Sequence, residues 1–347
     1  MLPGADLEVL DVLGGSRRSV VRRVRAGART LILKEFTEAG EGWVRESAAL
    51  SMMPAGLPVP RLVAERGAPP AVAMSDAGPG GSVADALLGD DPEAAGRAVV
   101  AWAAAIGTMH RHTAGSRESF RAALAARAGD LPVAESTMAT SLDDAAQGLA
   151  RHCAELGVAV PPGAADELRS LAVRLDGAGP AALTPADACP DNNVFTGDGL
   201  VLIDFEGAEW RHVAWDVAYL TVPWPSCWCS WRIPAPVAER AVDAYRAAAA
   251  LPYTATPAFR ADVAAAAAGW AFLSASWLLP QALPDDPPLT RPGPTRRAMI
   301  LHRMRQAAAA ADLPALAGWA GRLHAALAGR WGAVPLAYAP AFTGSGR

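Results

Sequence analysis

Asp187, Asn192 and Asp204 stand in an order and at a spacing that phosphoryl transfer uses. In that chemistry one aspartate accepts or orients the proton of an attacking hydroxyl, and an asparagine five positions later binds Mg²⁺. A second aspartate just past a buried strand completes the metal site. The loop carrying Asp187 must then turn back, so that base and metal ligand face one cleft. The following stretch can anchor it: Asn193-Val-Phe-Thr, the turn Gly197-Asp-Gly and Leu200-Val-Leu-Ile read as an apolar hairpin ending on Asp204. Asp191 and Glu206, beside these residues, are either outer support for the metal or solvated carboxylates.

A second group lies nearer the N-terminus. Of 31 basic residues Lys34 is the only lysine, and Asn192 and Asn193 are the only asparagines. Codons for both residue types begin with two adenines, so drift toward a GC-rich genome removes them wherever another residue can serve. The survivors are places to look for function. Lys34 ends the apolar run Leu31-Ile-Leu, about twenty residues after the glycine turn Gly14-Gly15-Ser16. There a lysine can hold the α- and β-phosphates of ATP beneath the N–H groups of a glycine-rich loop. A compact ammonium on a flexible stem suits that task, where arginine would present a wide planar fork. Glu46, twelve residues on, falls in a predicted helix and is placed to pair with the lysine. Met74, Ser75 and Asp76 form the expected hinge, whose backbone pairs with adenine.

These side chains require two kinds of framework. Residues 7–13, 19–25, 30–34, 59–65 and 70–74 read as strands separated by glycine turns, with a helix over 42–53. After Gly78-Pro-Gly-Gly81 the chain becomes mostly alanine-rich helix, including a buried helix over 91–112 and helices from about residue 236 onward. The expected class is α+β and two-lobed: a small antiparallel-sheet lobe over 1–77 and a larger, mostly helical lobe over 78–347. His110 and His112, two apart and so on different helix faces, are expected to be packing or surface residues.

The sequence from Pro185-Ala-Asp187 through Asn192 to Asp204-Phe-Glu206 resembles the aminoglycoside phosphotransferase/choline kinase-like family of the protein kinase-like superfamily. The family pattern is His-Gly-Asp, four residues, Asn, a hairpin, then Asp-Phe/Trp-Glu. The stretch from Gly207 to Leu220 is similar too, and the resemblance assigns Asp216 to buttressing the catalytic loop. One departure stands out, since Pro185-Ala186 replaces His-Gly. The resemblance implies a kinase-like fold, Asp187 as catalytic base, Asn192 and Asp204 on Mg²⁺, and ATP anchored by Lys34.

Other properties set the limits. A net charge of −4 argues against a nucleic-acid partner. The N-terminal residues have no signal-peptide pattern, and no apolar run approaches the ~20 residues of a membrane span, so a cytoplasmic protein without a membrane partner is expected. Cys153, Cys189, Cys227 and Cys229 are too few and irregular for a disulfide framework and read as packing or pocket lining. From residue 210 onward there are 13 Arg against seven Asp or Glu, which weakens a polycationic acceptor. Trp210, Trp215, Trp224, Trp228, Trp231, Trp270 and Trp277, with Arg232, Arg291, Arg296 and Arg297, either line a pocket for a large, partly apolar or anionic acceptor or fill a helical core. The expected activity is transfer of the γ-phosphoryl group to a hydroxyl of a small molecule, with an antibiotic or specialised metabolite as a candidate. A nucleotide-binding scaffold with weak turnover and, lower in order, a protein kinase are the alternatives.

Overall fold

Five short strands separated by turns close the first part of the chain into one antiparallel sheet. They are β1 (Leu7–Gly15), β2 (Ser19–Ala26), β3 (Arg29–Phe36), β4 (Leu62–Gly67) and β5 (Pro70–Ser75), in the spatial order β1-β2-β3-β5-β4. The structure, a computed structural model, describes residues 7–15, 17–38, 40–176, 179–286 and 292–343. Side chains alternate across β3. Leu31 and Leu33 join Val24, Ala71 and Ala73 in a small cluster on one face. Ile32, Lys34 and Phe36 take the other, the face on which α1 (Glu41–Met52) packs. Residues 43–50 of α1 are all buried, so this helix is enclosed on every side, and its Arg45 donates to the carbonyls of Ala134 and Ala208, each at 2.9 Å, which fastens it to the rest of the chain. Glycine is required at Gly15, where φ is +154° and a Cβ would lie 2.4 Å from the Ser19 carbonyl.

The chain then passes close against the predicted catalytic hairpin. At Gly80 a Cβ would sit 1.9 Å from the Phe195 carbonyl oxygen, so only glycine allows that approach. Next come α2 (Val83–Leu88), begun by a Ser82/Asp85 capping box, α3 (Pro92–Thr113), capped by Asp91, then α4 (Arg117–Ala128), α5 (Met138–Glu155) and α6 (Ala164–Arg174). Four short strands follow: β6 (Ala181–Thr184), β7 (Asn193–Thr196), β8 (Gly199–Leu202) and β9 (Glu209–His212). β7 and β8 form the hairpin expected from the sequence, and β6 pairs with β9. The chain continues through α7 (Ala214–Val217), α8 (Ala235–Ala249), α9 (Pro257–Ala282), α10 (Arg296–Ala307) and α11 (Pro314–Trp331). The result is an antiparallel-sheet lobe followed by a helical one.

One expectation is corrected here. The 26-residue α9 is apolar and long enough to cross a membrane by composition alone, whereas the sequence reading found no such run. Its buried residues pack against neighbouring helices, and it carries a buried Asp262 that accepts hydrogen bonds from Arg174 (2.6 Å) and Tyr253 (2.5 Å).

The β6–β9 ladder positions the loop that carries Asp187. Just past β6, Ala186 adopts φ +62°, a left-handed conformation that costs a side-chain-bearing residue about 1–2 kcal/mol. Two donors hold it there, because Arg211 Nη2 (3.2 Å) and Tyr219 Oη (3.1 Å) both reach the Ala186 carbonyl oxygen. Arg211 is fixed in turn by Asp216 at 2.5 Å. Asp216 also meets His110 Nε2 at 3.0 Å, and His110 Nδ1 meets Tyr245 Oη at 2.9 Å. Burial alone would raise the pKa of the Asp216 carboxyl, but Arg211 and the His110 hydrogen bond outweigh it and hold the group below the ordinary aspartate range. His110 is therefore a buried link in the loop's support, more than the packing residue expected, while His112 is exposed.

Replacing Asp216 with Ala strands a buried guanidinium and is expected to cost roughly 3–5 kcal/mol in urea unfolding. Because the folded pKa of Asp216 is lowered, its contribution is fully present above about pH 4 and is lost as pH falls through the folded value. The parent-minus-Asp216→Asn difference should shrink in that direction. A variant as stable as the parent at neutral pH would contradict this support. Ala186→Gly removes the left-handed strain and should stabilise by up to about 1 kcal/mol.

Candidate active site

A cleft of about 370 Å³ opens between the sheet and the β7–β8 region. The sheet contributes Leu13, Gly14, Gly15, Val21, Ile32, Lys34, Met74 and Ser75; the linker contributes Asp76, Ala77 and Gly78; the far wall contributes Asn192, Val194, Ile203, Asp204 and Glu206. Val21 and Ile32 on one wall and Val194 and Ile203 on the other suit a flat ring inserted between them. Polar and charged groups gather deeper, around Lys34.

The alternation of β3 aims Lys34 at this inner end, and its side chain is only 6% exposed. Its Nζ lies 2.7 Å from Glu46 Oε2 on α1, 2.7 Å from Asp204 Oδ1 past β8, and 3.1 Å from Glu206 Oε2. Burial by itself would lower the ammonium's pKa, but the three carboxylates reverse that and hold it above the usual lysine range. Burial drives the Glu46 carboxyl in the other direction, upward, against the pull of Lys34. Arg18 Nη2 also reaches Glu206 Oε1 at 2.6 Å, so two cations face three carboxylates and one formal negative charge is left to favour a further cation. Asp204 itself has φ +64°, so the backbone is strained where the carboxylate is presented.

The donor set fits a hard cation such as Mg²⁺. Asn192 donates its amide nitrogen to the Asp187 carbonyl at 2.8 Å, which leaves the amide oxygen as an oxygen ligand in the cleft that Asp204 also lines. Asp187 stands outside the cleft lining, two residues before Cys189. Its Oδ1 accepts a hydrogen bond from Ser226 Oγ at 2.8 Å. Asp187 is exposed at the surface, yet the protein packed around its carboxyl raises its pKa, with Ser226 opposing and Asp204 and Asp191 adding to the rise.

At the expected hinge, Met74 and Ser75 still lie in β5 and pair with Ile32 and Leu31 of β3. The chain leaves the sheet at Asp76, whose carboxylate takes a two-pronged contact from Arg23 at 2.6 and 3.2 Å. Ser16 lies outside the described residues. Asn193, which the sequence reading did not assign, is buried; its Oδ1 accepts from Val83 N at 2.9 Å and its Nδ2 donates to Pro190 O at 2.9 Å, tying the loop to the start of α2. Its rarity was the signal that could have found it. Ser226, Arg211 and Tyr219 carried no such signal.

One open alternative is resolved and one expectation changes. Trp210, Trp215, Trp224, Trp231 and Trp270 are buried in the core, so they do not form an acceptor pocket; Trp228 is partly exposed beside the loop, with Nε1 2.7 Å from Asp191 Oδ2, and Trp277 is exposed. Arg232 stacks on Tyr338 and Arg297 on Trp331, the Arg296 backbone N–H bonds Asp286, and Arg291 is outside the described residues. Cys189 and Cys227 form a disulfide, where lone packing residues were expected, while Cys153 and Cys229 are buried thiols.

Lys34→Met leaves three carboxylates around an apolar side chain and should destabilise by roughly 3–5 kcal/mol near neutral pH. Lys34 pulls the Glu46 pKa down, so without the cation that pKa rises further and the deficit should narrow as pH falls and Glu46 protonates. Urea midpoints of parent and variant across pH check this, and a deficit that stays constant would contradict the cluster.

A phosphotransferase enzyme family model matches residues 4–275. A search of curated proteins finds no match. Among solved structures the chain is similar to a choline/ethanolamine kinase family protein from Mesorhizobium loti, with 20% identity, TM-score 0.50 and 93% of each chain covered. It is similar also to an ethanolamine kinase from Plasmodium vivax, with 14% identity, TM-score 0.54, and 90% of this chain and 83% of that one covered. A choline kinase from Cryptosporidium parvum gives 11% identity, TM-score 0.52, and 91% and 93% coverage. These likenesses establish a protein-kinase-like fold, and with the family match across most of its length this chain belongs to the phosphotransferase enzyme family.

Proposed function

We propose that the protein transfers the γ-phosphoryl group of ATP to a hydroxyl of a small molecule, with Mg²⁺ as cofactor. The convergence of Lys34 on Glu46, Asp204 and Glu206 carries this reading, because it joins a phosphate-anchoring cation to a metal-binding carboxylate at the inner end of a cleft shaped for a base. Lys34 would contact the α- and β-phosphates, Glu46 orients it, and Gly14 and Gly15 cover the phosphates. The end of β5 at Asp76 offers backbone groups to adenine. Asn192 and Asp204 would hold Mg²⁺, which when bound neutralises charge on the phosphates.

Asp187 then accepts the proton of the acceptor hydroxyl. Catalysis rests on positioning and on charge neutralisation, with little covalent chemistry left to the protein. A scaffold without turnover draws no support from the Pro185-Ala186 departure. Arg211 and Tyr219 hold the loop at Ala186 and keep Asp187 presented.

Asp187→Asn is expected to lower phosphoryl transfer by at least about 100-fold, the scale of a lost general base, while Mg-ATP-dependent thermal stabilisation is kept. Phosphorus NMR across a panel of hydroxyl-bearing metabolites, antibiotics included, would identify the phosphorylated product. Transfer at the parent's rate by the Asn variant would overturn the assignment of the base.

A further inference from the structure

Asp187 stands at the surface, where a carboxylate turns about two soft bonds unless something holds it. We propose that Ser226 is a positioning residue for phosphoryl transfer: backed by Tyr219, it grips one carboxylate oxygen of Asp187 and leaves the other for the acceptor hydroxyl. The inference rests on the reading of Asp187 as the base.

The grip is one-sided. Ser226 Oγ donates to Asp187 Oδ1 at 2.8 Å, and among the described residues no donor reaches Oδ2. Cys189 Sγ also lies 3.1 Å from Oδ1, but in its bridge to Cys227 that sulfur carries no proton to donate. Ser226 is therefore the one side-chain donor to this carboxylate among the described residues. A base gains from such an arrangement, because fixing one oxygen keeps the lone pairs of the other in one direction, ready for a hydroxyl proton.

The count of protons gives the bond its direction. The Ser226 hydroxyl has one proton and two neighbours that can take it, Asp187 Oδ1 and Tyr219 Oη, the latter at 3.0 Å. A bond to an ionised carboxylate is the stronger, so the proton goes to Asp187 and the Ser226 oxygen accepts from Tyr219. Tyr219 is fully buried, stacked on Trp102 at 6.4 Å and set against the edge of Trp270 at 5.2 Å, so its hydroxyl is a fixed point. The Ala186 carbonyl, which Tyr219 also reaches, has Arg211 as a second donor, and sharing the phenol proton leaves neither acceptor bare.

Ser226 itself is exposed, yet its neighbours on both sides are held. Arg303 donates to Pro225 O at 3.3 Å, the Cys227 N–H donates to Trp224 O at 3.0 Å, and Ser230 Oγ lies 2.8 Å from Cys227 O. The Cys189–Cys227 bridge ties the same turn to the loop two residues past Asp187. A hydroxyl mounted on such a frame sets the orientation of the group it bonds while adding little to the stability of the fold.

The test measures ADP formation by the full chain at saturating Mg-ATP, with water standing in for the acceptor. Ser226→Ala should lower kcat about tenfold, the scale of a misdirected base, while the KM for Mg-ATP and the urea midpoint stay at the parent's values. Ser226→Thr, which keeps the hydroxyl, should recover most of the rate. In an Asp187→Asn background the Ser226→Ala change should add no further loss, because the serine acts only through that carboxylate. Ser226→Ala at the parent's rate, beside a slow Asp187→Asn, would overturn the positioning role. So would an equal loss in both backgrounds, or a threonine variant as slow as the alanine one. Parent and Asp187→Asn forming ADP at one rate would instead overturn the reading of Asp187 as the base, and this inference with it.

Discussion

A single buried ammonium holds the site together. Lys34 comes from the sheet, Glu46 from the helix packed on that sheet, and Asp204 and Glu206 from the segment that leaves the second lobe's hairpin. Withdrawing such groups from water is expensive unless they meet one another, so each element is held in register by the need to complete the cluster. Even with Arg18 paired to Glu206, the cluster keeps one formal negative charge in excess. The same geometry that joins the lobes therefore favours a cation and the phosphates it would carry.

The loop that carries Asp187 shows a second constraint answered locally. Where the family pattern has His-Gly, this chain has Pro185-Ala186, and Ala186 takes the left-handed conformation that glycine would adopt freely. Arg211 and Tyr219 hold its carbonyl, while Asp216 and His110 hold Arg211 in place. The motif residues differ, and the loop before Asp187 is held by groups distant in sequence.

Much of this was legible beforehand. The strand pattern and glycine turns gave the first sheet, the 3.6-residue periodicity gave α3, and Asp198 between two glycines gave the β7–β8 turn. Lys34, Glu46, Asn192 and Asp204 line one cleft because strand alternation and one hairpin suffice to bring them there. The rest was hidden for physical reasons. β6 and β9 are four residues each, too short for a periodic signal, and their pairing joins segments far apart in sequence. Ser226, His110 and Arg211 act through long-range contacts that leave no mark on local spacing. The tryptophans after residue 210 could equally line a pocket or fill a core, and only packing decided for the core.

Titration calorimetry of ATP with and without Mg²⁺ tests the central claim most directly, namely that the Lys34 cluster is a metal-nucleotide site. The account predicts saturable one-to-one binding that strengthens markedly with Mg²⁺ and is lost in Asp204→Ala. Absence of binding, or binding indifferent both to Mg²⁺ and to the loss of the Asp204 carboxylate, would contradict it.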